Sequence, residues 1–294
     1  MTAVPSLEIL LRRVRDIPAL PQVVNQAVDL MSKPQSSAAQ IAAIIALDVG
    51  LTTKILRMVN SAAYGFNRQI SSVQHGIMLL GFNTVRGIVL STSIVKLFQA
   101  NQAAVGLDHQ AFWYHSLATA VSARTLAQVL RWPQDDDPFS VALLHDIGKV
   151  VLDVYASEWY RPLFVGLKHA KRDPHGPFFL KAEQHHLGLT HAQVGAQLAQ
   201  KWRLPEAMVQ VIAHHHAPEQ ANESERKLVH LIAIANQLSH VMNAPLVPAD
   251  PHEIATEAWC DAIGLTPALL IEAIARIRAE KENLDELMNS LQLD

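Results

Sequence analysis

Cysteine is almost absent from this chain, which has one, Cys260, among 294 residues. A single thiol cannot form an internal disulfide, and this scarcity suits a reducing compartment. Long runs of basic residues are also missing, and the formal net charge is −3 with neutral histidines. Because a protein that binds nucleic acid through its phosphates needs a clustered basic surface, we expect no general affinity for DNA or RNA.

Long apolar runs are missing as well, since none approaches the roughly 20 residues that span a bilayer. The first residues are polar and contain proline, unlike the basic and then apolar start of a signal peptide. We therefore expect a cytoplasmic protein that does not enter a membrane. Hydrophobic residues make up 50% of the chain, which is enough for a sizeable core in one large domain or two ordinary ones.

Apolar residues recur at the helical spacing of three and four along most of the chain. Val24, Ala27, Val28 and Met31 form one such stripe. No segment shows the alternation of a strand, and Asn-Gly or Asp-Gly hairpin signals are absent. Gly81 predicts a break between two helices. The pattern predicts an all-α protein of about a dozen to fifteen helices.

A polar segment with glycine and aspartate, residues 101–108, predicts the internal boundary of the chain. We predict an N-terminal helical lobe over residues 1–100, a second helical lobe over residues 109–245 and a C-terminal helical extension over residues 246–294. The connecting segment is the natural hinge for a movement between the two lobes.

The seven residues Leu143–Lys149 carry the strongest chemical signal. An apolar run closes with His145 and Asp146 and leads into Ile-Gly-Lys. An imidazole nitrogen and a carboxylate oxygen side by side can bind one divalent metal ion. Gly148 permits a sharp turn, and Lys149 can reach a phosphate as a point charge. The alternative interpretation is a helix end whose His and Asp are merely exposed.

Histidine is the residue in excess, with 15 in the chain against four tyrosines. Those that could complete a site are His115 within a predicted helix, His191 at a helix start, and the consecutive His214–His216 at a helix end. Neutral imidazoles need one or two carboxylates beside them to balance the charge of a metal. Each histidine alone is equally explained by core hydrogen bonding, exposure or a favourable helix dipole. Only convergence on His145 and Asp146 distinguishes a site.

Together these motifs resemble the HD superfamily of metal-dependent phosphohydrolases. The pattern of histidines is similar to the HD-GYP branch, whose members hydrolyse cyclic di-GMP. The closer resemblance is to the HDOD family, the HD-related output domain of bacterial signalling proteins. The segments that carry it are Leu20-Pro21, 48–65, 70–73 and 79–82 in the first lobe, and Glu183, His191, Val194-Gly195, Trp202, Leu204-Pro205 and 215–218 in the second.

The resemblance implies an all-helical HD-like domain with an additional N-terminal helical lobe. It also implies a divalent transition metal such as iron or manganese, and a contact from Lys149 to a phosphate if the site is active. Pro218 favours the last two of the three adjacent histidines, although the choice among them stays open. The metal ligands that it implies are His115, His145, Asp146, His191, His215 and His216.

Two departures from the catalytic branch argue against hydrolysis of cyclic di-GMP. The last ligand of the superfamily is an aspartate, whereas Asn236 stands at the matching position. A neutral amide oxygen balances no metal charge. The chain after His216 reads Ala-Pro-Glu-Gln and lacks the Gly-Tyr-Pro of the substrate loop.

The resemblance therefore predicts a bacterial signal-transduction module without catalysis, which retains part of a pocket for a metal or for a nucleotide or phosphate ligand. Its partners would be signalling proteins such as a kinase, a cyclase or a response regulator, and a homodimer is compatible with the apolar excess on the helices. The alternative is a metal-dependent phosphohydrolase that acts on a nucleotide phosphoester. The net negative charge of the chain argues against a DNA-binding regulator.

Overall fold

The chain folds into helices throughout the part that is described. The computed structural model describes residues 17, 19–60, 66, 68–99, 107–132, 137–170, 177–242 and 256–291. In those residues there are fifteen α-helices, two short 3-10 helices and no strand. The all-α prediction is confirmed, and the helix count lies at the upper end of the predicted range.

Four helices form the N-terminal part of the chain. They are α1 (Gln22–Met31), α2 (Ala38–Ile45), α3 (Val49–Val59) and α4 (Val73–Gln99). The apolar stripe predicted on α1 is buried, and α4 packs against the other three helices. The break predicted at Gly81 is confirmed, because this residue interrupts α4 with φ 80° and ψ 168°, outside the helical region.

The first 22 residues of α4, Val73–Ile94, are long and apolar enough to cross a membrane by length and composition alone. Their best window has a mean hydropathy of 1.5, which differs from the expectation that no run approaches a membrane span. The expectation counted uninterrupted apolar residues, whereas a window average tolerates polar residues such as Asn83 and Arg86. Within the fold 56% of that window is buried, which is the behaviour of a core helix.

Eight helices form the middle of the chain, and α5 lies at their centre. Their bounds are α5 (His109–Val129), α6 (Pro138–Leu143), α7 (Ile147–Tyr155), α8 (Ser157–Ala170), α9 (Pro177–Leu187), α10 (His191–Lys201), α11 (Glu206–His214) and α12 (Arg226–Ser239), with 3-10 turns at Pro218–Gln220 and His240–Met242. Both α6 and α12 pack along α5, while α10 packs on α7 and α11. This arrangement places the start of α7 and the ends of α11 and α12 around one side of α5.

Three helices close the described chain: α13 (Glu257–Ala262), α14 (Pro267–Ala279) and α15 (Lys281–Leu291). Thr266 caps α14 with its side chain and Pro267 takes the first position, a strong helix-start signal. Since α14 packs on α5, and α15 contacts both α3 and α5, the C-terminal helices join the two parts of the fold.

The predicted connecting segment falls largely outside the described residues, which omit 101–106. The division of the chain into lobes therefore stays a prediction. The end of the segment is firmly held, because the Leu107 amide donates to Asp153 Oδ1 at 3.0 Å. The side chain of Asp108 then caps α5 by accepting from the Ala111 amide.

Helices α7 and α10 cross at two glycines. A Cβ atom on Gly148 would lie 1.9 Å from the His191 carbonyl oxygen and 2.8 Å from the Gly195 nitrogen. Gly148 lies inside α7 and is not among the residues with positive φ, so the prediction that it permits a sharp turn was wrong. Its role is to let the two helices approach until their backbones touch, which only a residue without a side chain allows.

Substitution of Gly148 by alanine tests this crossing. We expect Gly148→Ala to lower the free energy of unfolding by about 1–3 kcal/mol or more, since the added methyl group meets rigid backbone. Gly166→Ala is the matched control, because a Cβ there meets nothing within 4 Å; it should stabilise the exposed helix by about 0.5–1 kcal/mol. Urea denaturation measures both, and equal stabilities would contradict the close crossing.

Candidate metal centre

His145 and Asp146 occupy the turn between α6 and α7, and Lys149 follows in the first turn of α7. All three side chains are buried, with exposures of 0%, 1% and 1%. The alternative interpretation, an exposed helix end, is therefore wrong. The apolar residues of α6, which are buried throughout, carry the dipeptide into the interior.

Four imidazoles present their Nε2 atoms to the Asp146 carboxylate. Asp146 Oδ2 lies 3.6 Å from His115 Nε2 and 3.4 Å from His145 Nε2. Asp146 Oδ1 lies 3.1 Å from His191 Nε2 and 3.4 Å from His215 Nε2. Residues far apart in the chain thus converge on one acid.

The His216 ring completes the cluster, with its Nε2 atom 3.1 Å from His191 Nε2. Two sets of side chains could each hold a metal ion, with all ligand atoms of a set within 4.8 Å of one another. One set is Asp146, His191, His215 and His216, and the other is His115, His145 and Asp146. Of the three adjacent histidines, the structure brings the last two into the cluster, and His214 belongs to neither set.

Backbone carbonyls determine which ring nitrogen carries the proton in two of the histidines, because a carbonyl oxygen can only accept a hydrogen bond. His145 Nδ1 lies 2.7 Å from the Ala142 carbonyl oxygen, and His215 Nδ1 lies 3.1 Å from the carbonyls of Val211 and Ile212. Each Nδ1 therefore carries the hydrogen, so the Nε2 lone pair faces the cluster. Among the described residues, the buried Nε2 of His145 finds no hydrogen-bond partner, which is the state of a nitrogen suited to bind a metal.

Glu183 holds His191 in the same way through a carboxylate. Its Oε2 accepts from His191 Nδ1 at 2.6 Å and from the His191 amide at 3.0 Å, while Oε1 accepts from the Tyr160 hydroxyl at 2.7 Å. Glu183 and Tyr160 are fully buried. A carboxylate behind a histidine fixes its tautomer and orientation and raises its basicity, as in many metal sites.

The last turn of α12 supports His115. The Ser239 hydroxyl donates to the Asn236 carbonyl at 2.7 Å and lies 3.4 Å from His115 Nδ1, so its oxygen can accept from that ring. Asn236 itself is 3% exposed, and its side-chain oxygen has no hydrogen-bond partner in the part of the chain that is described. A buried amide oxygen in this state is a candidate neutral ligand.

Burial keeps most of these rings neutral, as metal ligation requires. It lowers the pKa of His145 to about 3, in spite of the neighbouring Asp146. Burial also lowers the pKa of His215 and, together with repulsion from the other rings, holds the pKa of His216 well below its ordinary value. His191 is the exception: burial is the largest effect and opposes its charge, but the Glu183 and Asp146 carboxylates together outweigh burial and raise the pKa of His191.

The cluster contains few carboxylates for its number of imidazoles. Among the described residues, the two sets of candidate ligands share Asp146 as their single carboxylate. That carboxylate is also in contact with the Lys149 ammonium, 2.6 Å from Oδ2, and the ammonium lies 5.7 Å from the centre of the Phe179 ring. The donor set fits one divalent ion and leaves a second short of negative charge.

The structure thus brings together every metal ligand predicted from the sequence: His115, His145, Asp146, His191, His215 and His216. Whether they bind metal stays a prediction. Lys149 lies in the interior against Asp146 instead of at a solvent opening, and its contact to a phosphate also stays a prediction.

Sequence reasoning missed the supporting residues of the cluster. Glu183 matched the family pattern without an assigned role, and Tyr160 and Ser239 were not considered. An acid eight residues before His191 was a usable signal for Glu183. The other two could not be found, since Tyr160 is 23 residues from Glu183 and Ser239 is 124 residues from His115.

Comparison with known proteins identifies the family. The profile of the HDOD domain matches residues 17–218. The chain belongs to the HDOD family. A relative from Treponema pallidum (strain Nichols), described only as an uncharacterized protein, is 27% identical over 226 residues. That alignment covers 76% of this chain and 42% of the relative, so the chain spans less than half of the length of the relative that it matches.

Three crystal structures of bacterial proteins share the fold. The HDOD domain protein with unknown function from Geobacter sulfurreducens has a TM-score of 0.73 and 22% identity, covering 95% of this chain and 99% of that one. A proposed phosphohydrolase from Shewanella amazonensis SB2B has a TM-score of 0.75 and 21% identity, covering 96% and 98%. A proposed signal transduction protein from Marinobacter aquaeolei VT8 has a TM-score of 0.74 and 19% identity, covering 97% and 65%. At these identities the likeness shows the fold alone.

Replacement of Glu183 by glutamine tests its support of His191. We expect Glu183→Gln to lower the pKa of His191, because the negative charge that opposes the effect of burial is removed. We also expect it to weaken divalent metal binding by about 10- to 100-fold. An NMR titration of the ring in metal-free protein measures the first effect, and calorimetry with Mn²⁺ measures the second. Glu219→Gln, on the exposed turn after the cluster, should change neither. An unchanged pKa of His191 would contradict the assignment.

Proposed function

We propose that this HDOD chain is a regulatory module of bacterial signal transduction that acts through a protein partner. In this proposal the histidine cluster is a non-catalytic pocket for one divalent metal ion or a phosphate ligand. The observation that supports it is the acid balance of the cluster, by which we mean the number of carboxylates beside its cationic and metal-binding groups. Five imidazoles surround Asp146, which also contacts Lys149. Asn236 replaces the aspartate of the superfamily.

Charge argues against two-metal chemistry at this cluster. Two divalent ions carry four positive charges, and the ammonium of Lys149 adds a fifth. A single carboxylate cannot balance them in a site this deeply buried, where uncompensated charge is costly. A two-metal mechanism of phosphoester hydrolysis needs both ions to hold the attacking and leaving oxygens.

One ion is compatible with the same residues. His191, His215 and His216 with Asp146 would hold it, and Glu183 would keep His191 oriented toward it. A divalent ion there would supply Lewis acidity and a binding point for a phosphate oxygen. These four side chains would orient the ligand and exclude water, since all of them except His216 are buried.

Membership of the HDOD family and the signalling name of the Marinobacter protein support the regulatory part of the proposal. Its partner would be a kinase, a cyclase or a response regulator. The buried, unpaired Cys260 is consistent with the cytoplasm, where such partners act. A nucleotide ligand and a homodimer stay predictions of the sequence.

The second candidate function is a metal-dependent phosphohydrolase that acts on a nucleotide phosphoester. The convergence of all six predicted ligands favours it, as does the phosphohydrolase name of the Shewanella protein. For this function some other group would have to supply the negative charge that Asn236 lacks.

Metal content and hydrolysis separate the two functions. Protein purified without a histidine tag and reconstituted with Mn²⁺ or Fe²⁺ should bind about one ion per chain. It should hydrolyse a panel of nucleotide phosphoesters no faster than its Asp146→Asn variant. Two ions per chain, with hydrolysis that the variant loses, would establish the phosphohydrolase instead.

A separate experiment identifies the partner. The tagged chain, expressed in its own host, should repeatedly co-purify one signalling enzyme or response regulator, and the tagged partner should recover this chain in return. Failure of the reciprocal capture, in protein with the expected metal content, would contradict the regulatory proposal without affecting the metal site.

Asn236→Asp tests the acid balance directly. A buried carboxylate with nothing to neutralise it should lower the metal-free stability by about 1–3 kcal/mol. With Mn²⁺ present, the added charge should strengthen binding by about 10-fold or more, the scale that even outer-shell partners reach, and enlarge the metal-dependent rise in Tm. Gln128→Glu, an amide-to-acid change at an exposed position of α5, should leave metal binding and the metal-dependent rise in Tm as in the wild type. Weaker metal binding by Asn236→Asp would show that this position lies outside the ligand set.

A further inference from the structure

The N-terminal helices contact the helix that precedes His145 where α4 crosses α6. A Cβ atom on Gly87 would stand 1.8 Å from Ser140 Cβ and 2.0 Å from Ser140 Oγ. No side chain fits between the two helices at this point. A shift of α4 toward α6 therefore has to displace Ser140, because a packed contact without free space transmits movement instead of absorbing it.

Polar groups fix this crossing on both sides. The Ser140 hydroxyl is 3.2 Å from the Thr84 carbonyl oxygen of α4 and forms a short hydrogen bond with Asp137. The Arg86 side chain of α4 lies beside Asp137 at the same place. The crossing is thus fixed by hydrogen bonds as well as by shape.

From Ser140 the route to the cluster is short and rigid. Helix α6 has six residues, all of them buried. His145 is tied to its last turn twice, since its amide donates to the Ala142 carbonyl at 3.2 Å and its Nδ1 to the same oxygen at 2.7 Å. The orientation of the His145 ring therefore follows the position of α6.

A second cluster-bearing helix meets the same point. A small crevice beside the crossing is lined by Arg86 and Asp137 together with Pro205 and Met208. Pro205 and Met208 lie at the start of α11. In the final turn of this helix, the Val211 carbonyl oxygen accepts a hydrogen bond from His215 Nδ1. The crossing thus touches two of the helices that position imidazoles at Asp146.

We propose that the α4–α6 contact at Gly87 and Ser140 transmits displacements of the N-terminal helices to His145 and the cluster. It is a conformational coupling element, and it gives the proposed regulatory function a physical path between a partner on the N-terminal helices and the metal centre. The coupling itself can be measured in metal-free protein without a partner, so its failure is distinguishable from failure of the proposed function.

The test uses two glycines on the same helix. Gly87→Ala forces α4 and α6 apart, and we expect the ring resonances of His145 and His215 in the NMR spectrum of the metal-free full chain to shift from their wild-type positions. Gly76→Ala is the matched control, because a Cβ there meets Val59 side-chain atoms at an ordinary 3.6 Å. It should leave the ring resonances unchanged.

A reciprocal substitution makes the test specific for this contact. Ser140→Gly removes the two side-chain atoms that an alanine at position 87 would meet and leaves the Cα atom of residue 140 at 3.0 Å. The double variant should therefore return the ring resonances most of the way to those of Ser140→Gly alone. Unshifted histidine resonances in folded Gly87→Ala, or an equal shift in Gly76→Ala, would overturn the proposal.

A milder change decides the matter if Gly87→Ala does not fold. Arg86→Met removes the guanidinium that faces Asp137 and keeps the length of the side chain. We expect it to shift the His145 ring resonances, whereas Arg57→Met on the exposed side of α3 should not. Identical histidine spectra for the two variants would show that the crossing is only a packing contact.

Discussion

The arrangement of this protein depends on one buried carboxylate. Asp146 lies within 3.1–3.6 Å of four imidazole nitrogens and 2.6 Å from an ammonium group. A carboxylate that has left water is stable only where donors and opposite charge replace the lost hydration. The turn after α6, the glycine crossing of α7 with α10, the end of α11 and His115 on α5 together supply those groups. Any change that moves one of these elements alters the surroundings of Asp146.

The histidines are oriented from behind, by groups that a metal would not touch. Backbone carbonyls hold His145 and His215, a carboxylate holds His191, and Ser239 lies beside His115. Outer groups of this kind set the tautomer and the direction of the lone pair. The cluster therefore has a geometry that could hold a metal ion, together with an acid content that suits one ion better than two. The proposed regulatory role rests on this combination.

Much of the fold could be predicted because helices are specified locally. The stripe on α1, the break at Gly81 and the cap at Thr266 each follow from a few neighbouring residues, and all are found. The apolar length of α4 was underestimated, since scattered polar residues hide a long helix from a count of uninterrupted apolar residues. The role of Gly148 was misjudged because the contact that requires a glycine comes from His191, 43 positions away in the sequence.

By itself the sequence determined the helical class, the family pattern and the identity of the six candidate ligands, since these depend on periodicity and on residue types at fixed spacings. Only the tertiary structure decided that the ligands meet, that Lys149 turns inward to Asp146, that Glu183 stands behind His191, and that α4 presses on α6 at a glycine. The physical reason is that packing sets distances between segments remote in the chain. No local pattern encodes which buried side chains face one another across such a contact.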